Sequence, residues 1–350
     1  MRMNASNYFK AASYVKRTYG TEMQVWESSS RVSIGALSVV GNFLEITFFC
    51  TRRKSKRNGK IEVQLSLAFV DLIAGVLMIV SQVGKALVKD DLARGLYFLL
   101  ESVMFSLITV SLYHLSIMSI MGYFAIRVPI RYMLFMKSSK VKMTVLCILV
   151  WLAGIPTAIL NSLEMYYSMM FYHYSKELYH RTVLKIRTVD TLHSFLLPCL
   201  TALLSTLLMC KAYFEDSYEN RNGQHNELFI NKRWEFSTIG IKSQHRRSQT
   251  LKQRHLWLKH HSTTTSMVFG YFITCLPFFL GALVTIYLPL GRCGYIVSEL
   301  MFCFVLTPLL LSNGLVTVLA CMKMDIEFRA FVKRSILSCI TRRTGKIKIL

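Results

Sequence analysis

The side chains best placed to do chemistry are three polar ones set within long apolar stretches: Asn42, Asp71 and Asn313. Asn42 lies 10 residues before Arg52, Asp71 lies 11 after Lys60, and Asn313 lies 10 before Lys323. If each stretch is a helix rising 1.5 Å per residue, all three sit roughly 15–17 Å from one charged edge. An amide or carboxylate at that depth in an apolar medium needs partners or an ion, so the shared depth points to a shared polar pocket. The alternative is three residues satisfied separately, with equal depth a coincidence. Ser111 lies 16 residues from Arg127 and does not fit the simple count. It joins the pocket if its helix is longer and strongly tilted.

Other reactive types are scattered. The histidines lack HExxH spacing, no Gly-rich phosphate loop occurs, and no Ser or Cys nucleophile has a placed base, so no enzyme and no cofactor are expected. The nine cysteines stand singly and without metal-ligand spacing. Only Cys293 falls in an expected outer loop, so no disulfide framework is expected. His114 reads more readily as a hydrogen-bonded core residue than as a ligand. Glu101, Glu299 and Lys85 lie near the outer ends of apolar blocks, where they either anchor a ligand or snorkel to the interface.

The elements that must carry these residues follow from composition. Apolar residues make up 53% of the 350-residue chain, charged ones 17%, and the mean hydropathy is +0.39. The apolar residues fall in blocks near 32–51, 63–87, 96–126, 141–163, 191–213, 263–288 and 296–321. About 20 residues of helix cross a hydrocarbon core roughly 30 Å thick, and the blocks lack the period-2 alternation of strands. Seven spans put the termini on opposite sides. No internal repeat relates the halves.

Charge gives the orientation. With the N-terminus outside, 29 of the 42 Lys and Arg residues fall in inner segments, densest at Arg52-Arg53-Lys54, Lys56, Arg57 and Lys60. Asn4-Ala5-Ser6 is a glycosylation sequon on the same outer tail. The net charge of +23 is then explained by topology and anionic inner-leaflet lipid, and no nucleic acid is needed. Residues 1–31 are too polar for a secretory signal, so the first block is expected to act as its own insertion signal. The expected organisation is an outer tail over 1–31, a bundle over 32–321, and a cytoplasmic segment over 322–350.

From Gly41 to Phe331 the chain resembles the rhodopsin-like G-protein-coupled receptors. Gly41-Asn42 is similar to the first-helix signature, and Leu67-Ala68-Phe69-Val70-Asp71 to the second-helix LAxxD. Trp151, Pro198 after Phe195, and Pro277 stand where the fourth, fifth and sixth helices carry theirs. Glu327-Phe328-Arg329-Ala330-Phe331 resembles a short amphipathic helix along the inner membrane face. The resemblance implies an all-α membrane protein, a seven-transmembrane helix bundle with a short eighth helix. It also implies a receptor at the plasma membrane that senses an extracellular ligand and signals to a heterotrimeric G protein. Asn42, Asp71, Ser111 and Asn313 would then form an allosteric pocket with sodium at Asp71.

The output motifs depart from the family pattern. The third helix carries Met121-Gly122-Tyr123 in place of an Asp-Arg-Tyr-like triplet, so Gly122 replaces the arginine that contacts G protein. The seventh-helix NPxxY run reads Thr317-Val318-Leu319-Ala320-Cys321, and Cys275 replaces the sixth-helix tryptophan. No cysteine occurs between Cys50 and Cys147, so the family's outer disulfide is not expected. The resemblance places Gly122, Tyr123, Arg127 and Arg131 on the G-protein face. It places Glu101, Met104, Phe105, Cys275, Phe278 and Glu299 around the ligand cavity. Met104 stands where amine receptors carry an aspartate, and helix seven has no lysine, so neither a monoamine nor retinal is expected.

Three further segments invite a reading. The run 165–174 is rich in Tyr and Met, a lid or an interfacial belt. The basic loop 215–262 could bind a partner, though topology alone demands its charge. Cys339, beyond the short helix, is a candidate palmitoylation site. Non-signalling relatives of such receptors, decoys or dimer partners, remain an alternative reading. A transporter or channel is disfavoured because only Asp71 was expected to lie deep.

Overall fold

The structure is a computed structural model that describes residues 5–51, 59–87, 91–128, 131–132, 140–171, 188–211, 263–281 and 305–347, with a few isolated positions between. The described residues are helical almost throughout. In chain order the helices are α1 (Ala5–Thr51), α2 (Gly59–Leu87), α3 (Asp91–Arg127), α4 (Lys140–Phe171), α5 (Thr188–Lys211) and α6 (Thr263–Gly281). The seventh, α7, comes in two pieces, Thr307–Leu311 and Asn313–Met324, and α8 is Ile326–Ile347. Six of these are long and apolar enough to cross a membrane, and α7 adds a shorter apolar helix.

The helices differ from the sequence-based segments at their ends. α1 begins at Ala5, and its apolar part is Val25–Thr51. α8 runs 22 residues, longer than the short helix expected. A broad lipid-facing surface replaces the polar exterior of a soluble bundle. On α4 it is Leu149, Leu152, Ile155 and Ile159, all about half exposed. α3 is the most enclosed span and α4 the least, so α3 is the post around which the others pack. Its Leu112, Leu115 and Met118 join Met267 and Tyr271 of α6 and Leu310 and Leu311 of α7 in one core.

α1 and α2 cross through a pair of glycines. A Cβ on Gly35 would lie 2.9 Å from the Gly75 carbonyl oxygen, and one on Gly75 would lie 3.1 Å from that of Gly35. Backbones that close need small residues on both sides. On α5, one wide π turn covers Leu192–Leu196, just before Pro198. α7 breaks at Ser312, whose φ of −75° and ψ of −5° turn the chain tightly before Asn313 restarts the helix.

The inner end is fastened by aromatics. Asp325 caps α8, its Oδ1 accepting from the Glu327 and Phe328 amides at 2.9 and 3.2 Å. The cap aims Phe328 and Phe331 at Phe48 of α1, with ring centroids 5.3 and 5.6 Å apart. Tyr132, just past α3, packs against the same core, and burial pushes its phenol up to about 12, so it stays neutral.

Candidate functional site

Asp71 is 2% exposed and stands at the meeting of α1, α2, α3 and α7. Ser111 of α3 donates to its Oδ1 at 2.7 Å, and Thr317 of α7 donates to its Oδ2 at 2.8 Å. Asn42 of α1 holds the other side. Its Nδ2 donates to the Ser38 carbonyl at 2.9 Å and to the Gly314 carbonyl of α7 at 3.2 Å. Ser38 itself donates to the Asp71 backbone carbonyl at 3.3 Å. Glycine at 314 is a packing requirement, because a Cβ there would lie 2.6 Å from the Ser38 hydroxyl oxygen. Four helices are thus tied through one carboxylate and its neighbours.

A cavity of about 10 Å3 opens beside Asp71, lined by Ser38, Met104, Ser111, Asn313 and Gly314 among others. That is room for about one water-sized occupant. Asn313 is 5% exposed and its Nδ2 has no partner. Nδ2 and Oδ1 can exchange by an amide flip, and Oδ1 would then face a cation. One carboxylate, two hydroxyl oxygens and a rotatable amide are hard donors of the kind a small alkali cation accepts, so the residues fit sodium.

The structure therefore brings together Asn42, Asp71, Ser111 and Asn313. It adds Thr317, which sequence reasoning had only as part of an altered motif. The signal was present, since Thr317 occupies the asparagine place of the seventh-helix run. It also adds Glu45, against the expectation that only Asp71 lies deep. Glu45 is 1% exposed, and its Oε1 accepts from the Cys321 thiol at 3.3 Å while its Oε2 meets no donor. Its place in an apolar block seven residues before Arg52 was the available clue.

Two further polar ties set α3 in the bundle. His114 is fully buried. Its Nδ1 donates to the Val110 carbonyl at 2.9 Å, which leaves Nε2 to accept from the Ser66 hydroxyl at 2.8 Å. Trp151 of α4 donates to the same Ser66 oxygen at 3.1 Å. His114 is thus a core residue joining α2, α3 and α4. Nearer the outer side, Tyr113 donates to the His193 carbonyl at 3.1 Å, and His193 Nε2 donates to the Ala153 carbonyl at 3.0 Å.

Of the expected ligand-cavity residues, Met104 and Cys275 are buried, and Phe105 and Phe278 face each other with centroids 6.2 Å apart. Phe278 meets Phe279 edge-on, and Phe279 stacks on Phe195 of α5 at 3.9 Å. These rings close the space above Cys275 between α3, α5 and α6. Glu101 is already paired: it accepts from Arg31 of α1 at 3.0 Å, and Arg31 also reaches Glu27 at 2.5 Å. A ligand cation at Glu101 has to displace that guanidinium. Glu299 lies outside the described residues, as do Asn4, the side chains of Lys85 and Cys339, loop 215–262 and most of 165–174.

At the inner end Gly122 is buried, Tyr123 is half-buried against Phe124, and Arg127 and Arg131 are exposed. Among the described residues, no group of three His, Cys, Asp or Glu side chains could hold a transition metal. The sequence matches the family described as 7 transmembrane receptor (rhodopsin family) over residues 41–322. No curated protein matches the chain.

Proposed function

The chain belongs to the rhodopsin family of seven-transmembrane receptors, and from that premise we propose that it senses an extracellular ligand and passes a conformational signal to a heterotrimeric G protein. The proposed setting is the plasma membrane, with the N-terminus outside and the loops rich in Lys and Arg inside. The observation that carries the reading is the knot at Asp71. Ser111 and Thr317 each bring a hydroxyl from a different helix to one carboxylate. A change in the position of α7 has to break or remake that hydrogen bond, so the knot can convert helix movement into a choice between two states.

The small cavity beside Asp71 supports a sodium ion as an allosteric occupant. Sodium would supply a positive charge between α2, α3 and α7, held by Asp71 with Ser111, Thr317 and the Asn313 amide around it. The rings of Phe105, Phe278 and Phe279 support an apolar or aromatic ligand group above Cys275. The Arg31–Glu101 pair argues that a cationic group is not received at Glu101 without cost.

Gly122 and Cys321 favour a second reading, a receptor relative that binds ligand without the usual output. Both stand where the family's coupling side chains would be. Second-messenger output in cells separates the two, measured for the native chain and for Gly122→Arg after surface delivery is verified. Output from the native chain supports coupling without the arginine. Output from Gly122→Arg alone supports the non-signalling reading. Should both be silent, ion flux across the same cells tests the remaining possibility of a transport pathway.

A further inference from the structure

Glu45 is a carboxylate inside the bundle that the Asp71 knot does not use. It faces α7 from α1, one turn below Asn42. Its Oε1 accepts from the Cys321 thiol, and its Oε2 has no donor. Asn42 gives its amide hydrogens to the Ser38 and Gly314 oxygens, and its own Oδ1 also has no partner. Side chains three apart on a helix are neighbours, with Cβ atoms about 5–6 Å apart. α1 therefore presents two orphan acceptors on one face, and no donor to either.

The surrounding charge makes an ionised Glu45 worse placed still. The titratable groups acting on it are Asp71 from α2, Cys321 from α7, Asp325 at the start of α8 and Tyr271 from α6. None is a cation. Lys323 and Arg329 at the α7–α8 corner are exposed, and Arg329 is bonded to the Lys323 carbonyl. A hard metal ion would find one carboxylate, one amide oxygen and a thiol, short of the about six to eight oxygens a cation such as calcium takes. A proton needs only one oxygen. On Oε2 it turns an orphan acceptor into a donor, and Asn42 Oδ1 is the acceptor a turn away.

We infer that Glu45 is a proton-binding site of the resting bundle, its neutral carboxyl donating to Asn42 and accepting from Cys321 so that α1 is bonded to α7. Loss of the proton leaves a bare charge that is tolerable only where water reaches it, which requires the inner end of α7 to draw away from α1. The packed arrangement binds a proton that the loosened one releases, so acid favours packing and rising pH loosens it. This holds whatever ligand or partner the receptor takes.

The test is thermal unfolding of the full chain in lipid nanodiscs from about pH 6 to about pH 9. The melting temperature of the native chain is expected to fall across this range by several degrees. Glu45→Gln keeps an acceptor and supplies a permanent N–H donor, so it should lose much of that slope, while Asp71→Asn should keep it. An unchanged slope in Glu45→Gln overturns the inference. If Glu45→Gln does not fold, the infrared spectrum of a chain carrying Asp71→Asn and Asp190→Asn decides. A protonated-carboxyl C=O band at neutral pH is expected, and an ionised band alone overturns it.

Discussion

Asp71 shares its two oxygens between helices, so each donor can be removed singly. Thr317→Val keeps the shape and deletes the hydroxyl that donates at 2.8 Å. A buried carboxylate short of a donor costs about 1–3 kcal/mol. For a chain of this size that lowers the melting temperature by roughly 2–4 °C per kcal/mol. Thr317→Ser should restore most of the loss, and calorimetry or a thiol-reactive dye melt checks both. Asp71→Asn tests the ion: the native chain should be stabilised by sodium over an equal concentration of a large organic cation, and the variant should not. Equal stabilisation in the two would remove sodium from the account. At this scale the depth count from the nearest charged residue was a good guide to Asn42, Asp71 and Asn313, because those helices run roughly parallel to one another. It misplaced Ser111 because α3 is longer at its outer end, starting at Asp91, and reaches Asp71 from a different level. It missed Glu45 because a carboxylate seven residues from a basic cluster reads as interfacial, whereas the face of α1 it occupies is turned to α7. Thr317 was hidden by type, since a small hydroxyl in a membrane helix usually bonds its own backbone, as Thr317 also does to Gly314 at 3.1 Å.

Helices fail at their closest approaches. The α1–α2 crossing is set by Gly35 and Gly75, and the atom a new Cβ would meet is backbone that cannot swing aside. Gly35→Val should therefore destabilise by about 1–3 kcal/mol and reduce surface delivery, measured by thermal unfolding and by labelling of intact cells. Gly35→Ala should show a smaller effect of the same sign. Asp325→Ala removes the α8 cap and should cost about 1 kcal/mol, with loss of helicity confined to α8 in hydrogen exchange. Helix number and type were legible because apolar blocks near 20 residues have few other solutions in a membrane. Helix ends were less so. Hydropathy marks where apolar side chains stop, whereas the backbone of α1 and α8 stays helical through polar residues that the apolar count leaves out. The π turn of α5 and the break at Ser312 have no compositional mark beyond the nearby Pro198 and Pro308, since each is a choice of hydrogen-bond partner rather than of residue type.

For the molecule as a whole, the polar ties cluster on α3: Ser111 to α2, His114 to α2 and α4, Tyr113 to α5. A bundle braced at its centre can shift its outer members, α6 and α7, without losing the fold, which is what a receptor needs of its scaffold. The orientation proposed from the Lys and Arg distribution makes its own prediction. An epitope placed before Asn4 should be accessible on intact cells, and Asn4→Gln should remove a glycan-dependent mobility shift on gels. An epitope reached only after permeabilisation would reverse the topology and exchange the ligand face for the partner face. The family itself was legible from Gly41-Asn42, Asp71, Trp151 and the three prolines in order, while ligand identity was not, because an aromatic-lined space such as that of Phe105, Phe278 and Phe279 accepts many shapes.

The wide turn at Leu192–Leu196 has a consequence for how α5 presents its side chains. A regular α-helix advances 100° of azimuth per residue, so a single inserted residue rotates everything on one side of it by that angle relative to the other. The outer stretch of α5 from Thr188 to Thr191 and the inner stretch beyond Leu196 therefore run out of phase. Residues three or four apart across the turn, which simple counting would put on one stripe, look toward different neighbours. A substitution scan along α5 should accordingly show two clean helical periodicities joined by one slip, and the position of that slip would mark where the outer half of the helix stops keeping time with the inner half.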